Sequence, residues 1–93
     1  MNLWEEAILK TYDLLGGCAT NQQIYANVGK FIPLTTEHLR PTVYEGRPAY
    51  VHQVKSHITN LVQGGDLTRV GRGQCCLTAQ GRNRIKLQTH SVT

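Results

Sequence analysis

The sequence predicts a small α+β domain, a three-helix core closed by a C-terminal β-hairpin. Three observations carry that expectation. Three stretches place apolar residues at helical spacing and are each ended by glycine or proline. A glycine-flanked turn at Gly71–Gly73 separates two short strand-like runs. The 93 residues, 40% hydrophobic and 17% charged, suffice for one core. With only 3 prolines and no low-complexity run, the composition excludes a disordered or collagen-like chain, and no internal repeat points to a solenoid.

The elements follow in order. In the first helix, Leu3–Leu15, the apolar positions are Trp4, Ala7, Ile8, Leu14 and Leu15, with Glu5, Glu6, Lys10 and Asp13 on the other side; Gly16–Gly17 supplies the C-cap. Cys18–Ala19 is a short extended link. Thr20 then caps a second helix, and Gln23 completes a Thr-x-x-Gln capping box. That helix runs from Asn21 to Lys30 and buries Ile24 and Val28, limited by Gly29 and Pro33. The segment Ile32–Arg47 contains Pro33 and Pro41 and is expected to be loop, with one helical turn over Thr36–Leu39. The third helix, Pro48–Gln63, buries Val51, Val54, Ile58, Leu61 and Val62 until Gly64–Gly65 ends it. Asp66–Val70 and Gln74–Thr78 form the hairpin, with Arg72 at its tip. Ala79–Lys86 adds a short terminal helix or extended stretch, which gives one domain over residues 1–86 and a flexible tail over 87–93.

Charge is divided unevenly along the chain. Residues 1–46 hold Lys10, Lys30 and Arg40 against Glu5, Glu6, Asp13, Glu37 and Glu45, a net −2. Residues 47–93 hold Arg47, Lys55, Arg69, Arg72, Arg82, Arg84 and Lys86 against Asp66 alone, a net +6. A polyanion would sit on the second half. No run approaches the roughly 18 apolar residues of a membrane helix, and Met1–Glu6 is acidic where a secretory signal is basic. Three cysteines, two of them adjacent at Cys75 and Cys76, predict no closed disulfide framework. The expected setting is therefore a reducing, cytoplasmic one, with no membrane partner.

Helix, extended link, helix, loop, helix, hairpin is the order of a winged helix-turn-helix domain, in which two helices bury one face of the third and leave its other face to enter a DNA major groove about 12 Å wide. On the third helix that outer face carries His52, Gln53, Ser56, Thr59, Asn60 and Gln63, and no acid occurs between Pro48 and Gln63. Any surface helix turns polar residues outward; the missing carboxylates are the sharper signal, because they remove repulsion from phosphate. His52, Gln53, Ser56 and Asn60 are the expected base contacts, since amides pair bidentately with adenine and the others offer single donors or acceptors. Arg47, Lys55, Thr59, Arg69 and Arg72 are the expected backbone or minor-groove contacts, Arg72 from a glycine-flanked tip that can also be a plain turn. Arg82, Arg84 and Lys86 extend the basic footprint.

The segments Trp4–Ile8, Leu15–Thr20, Ile24–Tyr25, Ile58–Gly65, Leu67–Gly73 and Leu77–Thr78 resemble winged-helix domains attached to restriction endonucleases, of the Mrr N-terminal, HARE and methyl-sensing kinds. The likeness spans Trp4 to Arg82, and its motifs are short and determine the fold. It implies a module that reads double-stranded DNA, including methylated DNA, on behalf of a fused nuclease or other effector. Tyr44 and Tyr50 are where contacts to a modified base would come from, although tyrosines pack into cores as often. The 93 residues hold no effector domain beside the reading module, as expected either of a fragment excised from such an enzyme or of a stand-alone protein.

Three rival readings compete with this one. Catalysis by the chain alone is not expected: His38, His52, His57 and His90 are scattered and the acids are unpaired. No cofactor is implied, and Cys18, Cys75 and Cys76 lack metal-binding spacing. A protein-interaction winged helix of transcription machinery would instead show an apolar patch on the third helix or the hairpin. A transcriptional regulator shares the DNA chemistry and differs only in its consequence.

Overall fold

In the computed structural model, which describes residues 2–42 and 47–91, helices α1 (Leu3–Leu14) and α4 (Tyr50–Gln63) pack their apolar stripes on each other. Asn2 caps α1 by accepting from the Glu5 amide at 2.9 Å, and Glu5 and Glu6 in the first turn suit the positive end of the helix. The buried side of α1 is Ala7, Ile8, Leu9, Thr11 and Tyr12, and the Thr11 hydroxyl donates to the Ala7 carbonyl at 2.7 Å. Leu14, expected in the core, is instead 53% exposed. Periodicity finds the side of a helix but not how far along it the neighbouring elements reach.

Gly16 and Gly17 turn the chain at φ +92 and +101, where only glycine is at ease. The segment after them, expected to be a mere link, is strand β1 (Cys18–Thr20). It pairs antiparallel with β3 (Gln74–Leu77), which pairs antiparallel with β2 (Leu67–Gly71), giving the order β1-β3-β2. The sequence concealed β1 because three residues are too few to show alternation.

The expectation that the cysteines form no disulfide is corrected by the same pairing. Cys18 lies directly opposite Cys76, and the two are bonded. Adjacency disqualifies only a bond between Cys75 and Cys76; neighbours on a strand face opposite ways, so Cys75 points into the core while Cys76 meets Cys18 outside it. The reducing setting inferred from the cysteine count loses its basis. Burial, followed by the nearby Cys75, pushes the Tyr12 phenol far above its ordinary range.

The capping box holds as expected: the Thr20 hydroxyl accepts from the Gln23 amide and the Gln23 side chain from the Thr20 amide, opening α2 (Asn21–Asn27). A 3₁₀ turn, Val28–Lys30, finishes that segment. Helix α3 (Thr36–Leu39) is the expected single turn, capped by Thr35, and His38 meets the Trp4 ring edge-on at 5.3 Å. Helix α4 starts two residues later than expected, because Pro48 pairs with Pro41 in an isolated bridge whose donors are the neighbouring amides of Thr42 and Ala49.

Helix α5 (Ala79–Ser91) is longer than the expected short element and extends into the stretch expected as a tail. Its anchor is Asp66, 1% exposed, whose carboxylate accepts from Arg84 at 2.7 Å and from Gln80 at 3.0 Å. Thr78 closes the joint by donating to the Gly65 carbonyl and accepting from the Gly81 amide. The architecture is thus α+β, with five helices and one three-stranded antiparallel sheet among the described residues. None of these helices is long and apolar enough to cross a membrane.

Gly81 sits where a Cβ would overlap the Asp66 carbonyl oxygen, a backbone atom that cannot swing away. Gly81→Ala should therefore cost about 2 kcal/mol, roughly 10 °C in Tm. Calorimetry checks this, and an unchanged Tm would show that α5 does not dock through this contact.

Candidate nucleic-acid interface

The inward stripe of α4 is Val51, Val54, Ile58 and Leu61. Ser56 lies opposite that stripe, flanked by His52, Gln53 and Asn60, and all four expected base readers are exposed. The two edges of the helix differ. His57 on one edge meets Glu5 of α1 at 3.1 Å, both largely covered, and so ties α4 to α1. Lys55, on the other edge, lines an open cleft together with α2 and the β2–β3 hairpin.

That cleft has a volume of about 690 Å³ and is lined by Thr20, Asn21, Gln22, Tyr25, Arg47, Lys55, Arg72 and Gly73. Three of the five expected backbone contacts, Arg47, Lys55 and Arg72, converge on it from different parts of the chain. Among the described residues no carboxylate lines it. Three cations round one concavity raise the local potential and concentrate anions there more than the same charges spread over a convex surface.

The cleft is held open by a relay of hydrogen bonds. The Asn21 amide donates to the Gly73 carbonyl at 2.8 Å, which pins the hairpin tip to the start of α2. The Asn21 side chain lies beside the Tyr25 phenol and acts to lower its pKa. The Tyr50 hydroxyl donates to the Tyr25 carbonyl at 2.8 Å and fixes α2 against α4. Burial pushes the Tyr25 phenol above its ordinary value, while the Arg47 guanidinium and the Asn21 side chain pull it back down. A smaller hollow of about 260 Å³ adjoins the cleft, lined by Gln22, Tyr25, Ala26, Arg47, Pro48, Tyr50 and Val51.

Other expected contacts lie elsewhere. Arg69 stands opposite Cys75, hence on the core side of the sheet, and its charge reaches the Tyr12 phenol and not the cleft. The Thr59 hydroxyl donates to the Lys55 carbonyl in its own helix, so its proton is committed to the backbone. Arg84 is paired with Asp66, and the Arg82 guanidinium lies over Gly17. Tyr44 falls outside the described residues. Tyr50 lines the smaller hollow with its hydroxyl proton already engaged.

Sequence reasoning missed the contribution of α2. Asn21, Gln22 and Tyr25 form a wall of the cleft. The capping box had already located the start of α2, but only the third strand brings that start beside the hairpin tip. Among the described residues no three of His, Cys, Asp and Glu gather as metal ligands would. Comparison with models of known families, with curated proteins and with solved structures returns no match, so the functional reading rests on geometry and chemistry.

Removing the Tyr50 hydroxyl leaves the Tyr25 carbonyl without its donor, and Tyr50→Phe should cost about 1 kcal/mol, seen as a lower midpoint in urea. Arg47→Ala removes the positive charge that lowers the Tyr25 phenol, so the Tyr25 pKa should rise further. Carbon-13 NMR titration of the tyrosine rings reads this directly; a fall or no change would contradict the placement of Arg47.

Proposed function

We propose that the domain is a winged helix that binds double-stranded DNA, with α4 in the major groove and the β2–β3 hairpin as its wing. One observation carries the reading: Arg47, Lys55 and Arg72 line a single cleft, with no acid among its described lining residues, beside an exposed, acid-free helix face. The helix order and the three-stranded sheet are compatible with that fold. In this reading the cleft takes a backbone phosphate and sets the register, while His52, Gln53, Ser56 and Asn60 meet base edges. Arg72, at the tip, reaches the neighbouring phosphate or minor groove.

The role proposed for the domain is that of a specificity module of a restriction-type nuclease, acting on DNA and performing no chemistry itself. The hollow beside Tyr50 favours a further reading, contact with a modified base: two tyrosine rings, Pro48 and the apolar Ala26 and Val51 offer surface to a methyl group. A regulator of transcription would use the same contacts. A protein-interaction role is disfavoured by the polar outer face of α4.

Arg72→Ala should weaken every duplex alike and lower the slope of log affinity against log salt by about one. Gln53→Ala and Ser56→Ala should instead reduce preference among sequences, by roughly 1–3 kcal/mol at a bidentate contact. Titrations of selected duplexes at two salt concentrations separate these effects. Equal losses on all sequences from all three changes would sink the assignment of α4 as the reader. Running unmodified, 5-methylcytosine and N6-methyladenine duplexes in parallel tests the modified-base reading.

A further inference from the structure

The Cys18–Cys76 bond lies close to the cleft in the chain and in space. Two residues after Cys18, Thr20 caps α2. Two residues before Cys76, Gln74 pairs with Thr20 and leaves the hairpin tip. Strand β1 contributes only the pairs Cys18–Cys76, Ala19–Cys75 and Thr20–Gln74. Beyond them the Asn21 amide reaches the Gly73 carbonyl, next to Arg72. The bond is therefore the one covalent tie, among the described residues, between the wall of the cleft formed by α2 and the tip that carries Arg72.

The bond is also accessible. Cys18 is exposed and Cys76 half-buried, whereas the third cysteine, Cys75, is fully buried and free. A cross-strand disulfide can stand on either face of a sheet. This one faces out, on the side of the sheet away from Ala19, Cys75 and Leu77.

We infer that the Cys18–Cys76 bond is a redox-operated latch: oxidised, it fixes the hairpin tip against α2 and holds the basic cleft in shape; reduced, it loosens the tip and lowers the affinity for DNA. The effect on affinity rests on the DNA-binding reading above. The reductant is a dithiol. Its thiolate attacks the sulfur of Cys18, the more exposed residue of the pair, and the S–S bond breaks, so that Cys76 leaves as a thiolate and takes up a proton. The second thiol of the reductant then displaces Cys18 from the mixed disulfide. Two electrons and two protons reach the domain, which ends with two thiols, and the reductant ends as a disulfide. Loosening acts through preorganisation, because a tip that must be ordered on binding costs affinity that a fixed tip does not.

The test uses the intact domain in its oxidised form and after treatment with millimolar dithiothreitol under native conditions, with thiols counted by mass spectrometry. Amide hydrogen exchange and binding to a labelled duplex are then measured for both forms and for the double variant Cys18→Ser/Cys76→Ser. The latch predicts native reduction, faster exchange at Gln74–Leu77 and Asn21 with the core amides of α1 and α4 unchanged, and roughly tenfold weaker duplex binding. It also predicts that the double variant behaves as the reduced form and ignores dithiothreitol. A bond that resists reduction until the domain unfolds overturns the latch, as does uniform acceleration across α1 and α4 or equal affinity in both forms. If neither form binds duplex, the DNA-binding reading falls, and the exchange pattern alone decides whether the tip is latched.

Discussion

The arrangement depends on the pairing of a three-residue strand, β1, with β3. Thr20 does two things at once: its backbone pairs with Gln74 and its side chain caps α2. Because the strand ends where the helix begins, the first residues of α2 can lie nowhere but beside the hairpin tip. The Asn21–Gly73 hydrogen bond follows from that adjacency. Without the β1–β3 pairing the hairpin would be a two-stranded ribbon, marginal by itself in water.

From this constraint the electrostatics follow. Lys55 is on one edge of α4 because the inward positions Val51, Val54, Ile58 and Leu61 fix the rotation of that helix, and the Glu5–His57 contact holds the opposite edge. Arg47 arrives through the bridge between Pro41 and Pro48, and Arg72 through the hairpin. Three cations carried by different elements thus share one cleft, with no carboxylate among its described lining residues. Asp66, the lone acid of the basic half, is withdrawn beneath α5 and satisfied by Gln80 and Arg84. The acid that would most reduce the basic potential is used as an internal anchor.

Much of this was legible in the sequence wherever a local rule applied. The capping box at Thr20, the glycine stop after α1, the single turn at Thr36–Leu39 and the hairpin about Arg72 each depend on neighbouring residues alone. What was not legible depends on distant partners. Strand β1 is too short to carry a period, and the Cys18–Cys76 bond exists only because that strand pairs with β3. Arg69 could not be separated from Arg72 without the bulge between Arg69 and Gly71 and the register that sets Arg69 opposite Cys75. Arg84 looked like one more cation of a basic terminus until its partner Asp66 was placed.

In the proposed function, DNA lies against the domain at the cleft between α2, α4 and the hairpin tip. The most direct test of that placement is to follow backbone amide NMR shifts of the oxidised domain as a short duplex is added. Shifts should concentrate at Asn21, Gln22, Gln53, Lys55, Ser56 and Arg72–Gly73 while α1 and α5 stay still. Shifts centred on α1 or α5, or none at low salt, would contradict it.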